Sequence, residues 1–141
     1  MILPYETIFS RALSRIDDPK ELSLDSNDFV EIYTERLHNV LGDTRVRRLF
    51  SSITLDDEVQ EVSFELENSI DESSDVEYVC RLFVLGITIE WLSPRVDSLN
   101  YTLMMLGGKE EKMLNNPYKL LQARLDNVKK ELSKTIRDHG Y

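Results

Sequence analysis

Cysteine is nearly absent from this chain, which holds one, Cys80, among 141 residues. A disulfide framework is thereby excluded, and the count suits a chain that folds where thiols stay reduced. With only two histidines, His38 and His139, no Cys–His zinc spacing can be written either. Glycine and proline are sparse, at 5 and 4 residues, which excludes collagen-like and low-complexity structure. Long apolar runs are missing too. The longest, Leu82 to Leu92, is interrupted by Gly86, Thr88 and Glu90. It falls far short of the roughly 20 apolar residues of a membrane span. The opening Met-Ile-Leu-Pro-Tyr-Glu lacks a basic leader and a small-residue cleavage site, so no signal peptide is expected.

Positive charge is missing where acids crowd. Lys and Arg number 17 against 26 Asp and Glu, a net charge of −9. Up to Gly108 the count is 9 basic to 21 acidic residues; from Lys109 it is 8 to 5. No Lys or Arg stands between Arg48 and Arg81, an interval with ten carboxylates. Such a surface repels phosphate backbones and anionic lipid, so neither sequence-specific nucleic-acid binding nor membrane binding is expected. Asp56, Asp57, Glu58, Glu61, Glu65 and Glu67 then have two readings. They are a solvated face that keeps the protein in solution. Alternatively they form a face that must let nucleic acid slide past or must meet a basic partner.

What is present builds one domain. At 41% hydrophobic residues, with 5 Phe, 6 Tyr and 1 Trp, the chain has material for a core. A domain of this length buries about two-thirds of its unfolded surface. Pro4 opens a helix carrying Ile8, Ala12, Leu13 and Ile16 on one face, which Asp17-Asp18-Pro19 ends. Phe29, Ile32, Tyr33, Leu37, Val40 and Leu41 recur at helical spacing, with Gly42 placed for a left-handed C-cap. A short helix is expected from Thr44 to Phe50. Val62, Phe64 and Leu66 alternate with polar residues, which predicts a strand over 59–68, paired with 52–55 or with a neighbouring subunit.

Asp71 to Asp75 caps the strongest helix, apolar nearly all round and therefore buried nearly all round. Phe83, Ile87 and Trp91 are its core residues. Gly86 within it suggests a close helix crossing, and Pro94 is expected to end or kink it. The helical pattern resumes to Gly107-Gly108, a hinge or turn. Asn115-Asn116-Pro117 then opens the last helix, whose stripe of Tyr118, Leu121, Leu125, Val128, Leu132 and Ile136 is narrow enough to pack along one partner helix. The fold class is mainly α: a helical bundle with a long C-terminal helix and a small β element around 52–68. Within a single domain, residues 1–106 form the helical core and 107–141 the hinge and docking helix. Removing 117–141 is expected to leave the rest helical.

No chemistry emerges from the motifs. Cys80 sits on the core helix among acids, which raise a thiol's pKa and disfavour a nucleophile. Asp71, Glu72 and Asp75 lack the glycine and alternation of a calcium loop. Gly107-Gly108-Lys109 lacks the spacing of a phosphate loop and is followed by Glu110 and Glu111. No catalytic residue, metal or cofactor is expected, and the chain is not read as an enzyme.

The run Leu82 to Leu99 (LFVLGITIEWLSPRVDSL), then Gly107 to Leu114 (GGKEEKML), then a long amphipathic helix ending IRDHGY, resembles tailed-bacteriophage head–tail connector proteins. The opening 29 residues also look like members of that group. The resemblance covers most of the chain, through hydrophobic patterns and the Trp91-to-Pro94 signature. It implies a virion neck subunit, assembled in the host bacterial cytoplasm, that forms a ring with itself, usually twelvefold. It further implies partners in the portal protein, which the C-terminal stripe would dock on, and in the next neck or tail-completion protein. DNA would pass through the lumen, with the acidic stretch as a candidate lining. The competing reading is a small cytosolic helical regulator that binds a basic partner.

Overall fold

The computed structural model describes the backbone of residues 1–106 and 109–139, and the side chains of 1–106 and 115–139. In chain order the elements are β1 (Ile2–Pro4), α1 (Tyr5–Ile16), α2 (Pro19–Leu22), α3 (Ser26–Leu41) and α4 (Thr44–Arg47). Then come β2 (Phe50–Asp56), β3 (Glu61–Leu66), α5 (Glu72–Met105) and α6 (Lys109–His139). The fold is mainly helical with a small three-stranded antiparallel sheet.

Alternation at Val62, Phe64 and Leu66 does make a strand, and all three side chains are buried. β3 is the central strand, with β2 on one side and β1 on the other. Ile53 lies opposite Phe64 and Leu55 opposite Val62, and a bulge shifts the register between Phe50 and Ser52. β1 has no signature in the sequence. Three residues ending in proline carry no alternation, yet Leu3 pairs with Val62 and is buried. β3 therefore finds both neighbours within its own chain.

Capping sets several boundaries. Pro4, extended, leads directly into α1, and Asp17 ends it in the left-handed region at φ 51°. The side chain of Asp18 accepts from the Lys20 N–H and opens α2. Two expected features change. Gly42 is right-handed at φ −69°, with its N–H shared between the His38 and Asn39 carbonyls, because Asp43 at once caps the next helix. That helix, α4, is a single turn, and Phe50 belongs to β2 instead. The extended chain gains ladder bonds there, starting with Glu67 N–H to the Leu49 carbonyl.

α5 is the axis of the molecule. Asp71 caps it through the Ser74 N–H, and the buried Asp75 accepts from the Ile70 N–H and the Ser69 hydroxyl. It continues through Pro94 as one helix to Met105. In the turn that the proline ring disturbs, the Arg95 guanidinium donates to the Trp91 carbonyl at 2.8 Å. Phe83 and Ile87 are fully buried, and Trp91 is 4% exposed. The sheet packs on one side of this axis, where Phe50 stacks on Phe83. α6 packs on another: Tyr78 donates to the Thr135 carbonyl and Arg124 lies over the Trp91 ring. Pairing 78 with 135 and 91 with 124 makes α5 and α6 antiparallel.

α6 begins at Lys109, ahead of the expected Asn115–Pro117 start, and runs through Pro117. Its stripe is the larger revision. Leu125, Val128 and Leu132 are buried, and Tyr118, Leu121 and Ile136 pack against the same core. The single partner helix that the spacing called for is α5 of the same chain. The expected Gly107-Gly108 hinge lies outside the described residues.

Candidate interaction surfaces

Among the described residues no three His, Cys, Asp or Glu side chains are grouped to hold a metal ion. Among them also no helix is long and apolar enough to cross a membrane. Cys80 is buried, and that burial pushes its thiol pKa up, away from nucleophilic use. A groove of about 380 Å³ runs between α3, α5 and α6 past Asn39, Arg45, Glu90 and Lys129. Its guanidinium is already held by Asp43 at 3.0 Å and by the Ser133 hydroxyl at 3.2 Å.

The acidic residues gather on the β2–β3 hairpin. Glu61 and Glu65 alternate with buried Val62 and Phe64, and so stand on the outer face, with Glu67 just beyond. Asp56 turns the chain, accepting from the Glu58 and Val59 N–H groups. The six are not equivalent. Glu65 pairs with the Met1 amino group at 3.1 Å. Asp57 accepts from the Tyr5 hydroxyl at 2.6 Å and lies 2.9 Å from His38 Nε2 through both oxygens. The Tyr5 hydrogen bond, then His38, holds the Asp57 carboxyl below its usual range. Burial, then the hydrogen bond to Asp57, raises the Tyr5 hydroxyl pKa. Asp56, Glu58, Glu61 and Glu67 have no cationic partner among the described residues.

Two constellations escaped the sequence reading. Tyr5–Asp57–His38 clips the hairpin turn to α1 and α3, together with the Tyr5 N–H to Gln60 carbonyl bond at 2.9 Å. Elsewhere Glu21, buried on α2, meets Arg36, Arg95 and the Tyr33 hydroxyl, with Arg95 stacked on Trp91. Burial, reinforced by Glu21, pushes the Tyr33 pKa to about 12. These partners are far apart in sequence, and no local spacing signals them. Both tie distant elements together, with the buried Arg36 Nη1 and Trp91 Nε1 of the second left without a hydrogen-bond partner among the described residues.

Two further surfaces stand out. On α6, Lys129, Lys130, Ser133, Lys134 and Arg137 line a shallow depression with no carboxylate among them. Toward the C-terminal end of α5, Tyr101, Met104 and Met105 are 66 to 77% exposed. Comparison with protein-family models, with curated proteins and with solved structures finds no match to this chain.

Proposed function

We propose that the chain is a structural subunit of a tailed-phage neck, a head–tail connector that joins a ring between portal and tail. The likeness from Leu82 onward motivates the phage reading. The exposed tip of the α5–α6 hairpin is the observation that carries the assembly reading. Tyr101, Met104 and Met105 sit at i, i+3 and i+4 on one helix face, and such a patch marks a surface awaiting a partner. Methionine suits it, because its flexible thioether adapts to the surface it meets.

This assigns portal docking to the tip rather than to the Tyr118–Ile136 stripe, which is engaged with α5. The acidic hairpin then has two candidate uses: a lumen lining, past which DNA would slide without sticking, or a face that meets a basic partner. Capture on immobilised portal rings tests the reading. Met104→Asp with Met105→Asp should abolish capture with helix content unchanged, because both side chains are solvent-exposed. Undiminished capture would remove the tip from the interface. Failure of the unaltered protein to bind, with tight binding to a basic polypeptide instead, would favour the regulator.

A further inference from the structure

The two charged surfaces of this protein are placed where they cannot neutralise each other within one chain. The carboxylates ride the sheet, which packs on α5 around Phe83; the lysines ride α6, which packs on α5 around Tyr78. Tyr78 and Trp91, which meet α6, lie about 140° and about 80° round the helix from Phe83, which meets the sheet. Sheet and α6 are thus held apart by the helix between them.

Each surface is also uncompensated where it stands. Lys129, Lys130 and Lys134 make no ion pair among the described residues, and Arg137 reaches only its neighbour Asp138, at 3.7 Å. Across the molecule, Glu58, Glu61 and Glu67 have no cationic partner among the described residues. The two arrays match in length. Lys130, Lys134 and Arg137 fall at i, i+4 and i+7, one stripe spanning about 10 Å. Glu61 and Glu65 stand on one strand face about 13 Å apart, with Glu65 already paired with the Met1 amino group.

We infer that the basic face of α6 docks on the acidic β2–β3 hairpin of a second copy of this chain. The contact joins two different patches, so it is head-to-tail, and such contacts propagate into a closed ring or an open filament. It supplies the subunit contact of the proposed ring, and to that extent rests on the connector reading. Charge complementarity names the occupant: a second copy carries an acidic hairpin that matches the basic α6 face in sign, and that hairpin is present in every assembly. Contacts between such exposed charges are screened within about 10 Å at 0.1 M salt, so assembly falls as salt rises.

Paired charge reversal tests this. One variant carries Lys130→Glu, Lys134→Glu and Arg137→Glu; the other carries Glu58→Lys, Glu61→Lys and Glu67→Lys. All these positions are exposed except Glu61, which is half-buried, and circular dichroism with a thermal melt checks that both variants fold. In sedimentation velocity at low salt, unaltered protein should form species heavier than the monomer that dissociate at high salt. Each variant alone should stay monomeric. An equimolar mixture should reassemble, because each reversed face then meets an opposite one. Carbodiimide cross-linking of the unaltered protein should join Lys130 or Lys134 of one copy to Glu58 or Glu61 of another.

Self-association of either variant alone at unaltered strength would overturn the inference. So would a protein that stays monomeric at low salt, or one whose α6 lysines capture duplex DNA instead of a second copy. Portal capture is a separate readout. Variants that still form a full ring on the portal would remove this interface and leave the connector intact. Unaltered protein that assembles head-to-tail but ignores the portal would do the reverse.

Discussion

Gly86 illustrates how a single missing atom sets a helix crossing. A Cβ built there would lie 2.5 Å from both Val40 γ-carbons, so α3 and α5 approach only because that position has no side chain. Helix propensity favours alanine by about 1 kcal/mol, while overpacking a tight crossing costs about 1–3 kcal/mol. The steric effect should win, since β-branched Val40 has little freedom to move aside. Gly86→Ala is expected to lower unfolding stability by roughly 1–2 kcal/mol in urea denaturation. Combining it with Val40→Ala should cost less than the sum of the two single changes. Asp57 offers a second residue-scale test. Its carboxyl titrates lower in the folded protein than in the unfolded chain. The stability it contributes is therefore present above about pH 4 and is lost as pH falls through the folded value. Tyr5→Phe removes the largest cause, so the Asp57 midpoint should rise toward about 3.9 in a carboxyl NMR titration. An unmoved midpoint would mean that the hydroxyl does not hold this carboxylate.

At the scale of elements, the sequence was legible where one element's pattern determines its burial. The all-round apolar surface from Val76 to Leu92 called for a central helix, and α5 is central. Alternation at Val62, Phe64 and Leu66 called for a strand, and β3 is one. The α6 stripe called for one partner helix but was silent on whose helix that was. Being satisfied by α5, α6 is part of the core rather than an arm. Removing 117–141 would uncover the face of α5 that Leu125, Val128 and Leu132 cover, so loss of cooperative folding is now expected, in place of a helical remainder. Leu132→Ala alone should cost about 2–5 kcal/mol, as for an emptied core site. A truncated chain that melts as sharply as the full one would restore the arm. What stayed illegible depends on residues distant in sequence. Nothing near Ile2–Pro4 announces a strand, because its partner is β3. Nothing near Glu21 announces Arg95, which lies 74 residues away. Gly42 misled for a related reason: its helix stops because Asp43 starts another, not because glycine turns left-handed.

At the scale of the molecule, three surfaces stand out among the described residues: an acidic hairpin, a basic α6 face and an apolar hairpin tip. Their separation around α5 suits a subunit that meets like copies on its sides and a different protein at its end. Long α5 and α6 make that arrangement possible, since a 34-residue helix and a 31-residue helix extend past the sheet and α1. The most direct test of the connector account is native mass spectrometry of the protein mixed with purified portal rings. The account predicts a discrete complex carrying one full ring of this chain, with twelve copies on a twelvefold portal. Portal rings that keep their unliganded mass at every protein concentration would contradict it.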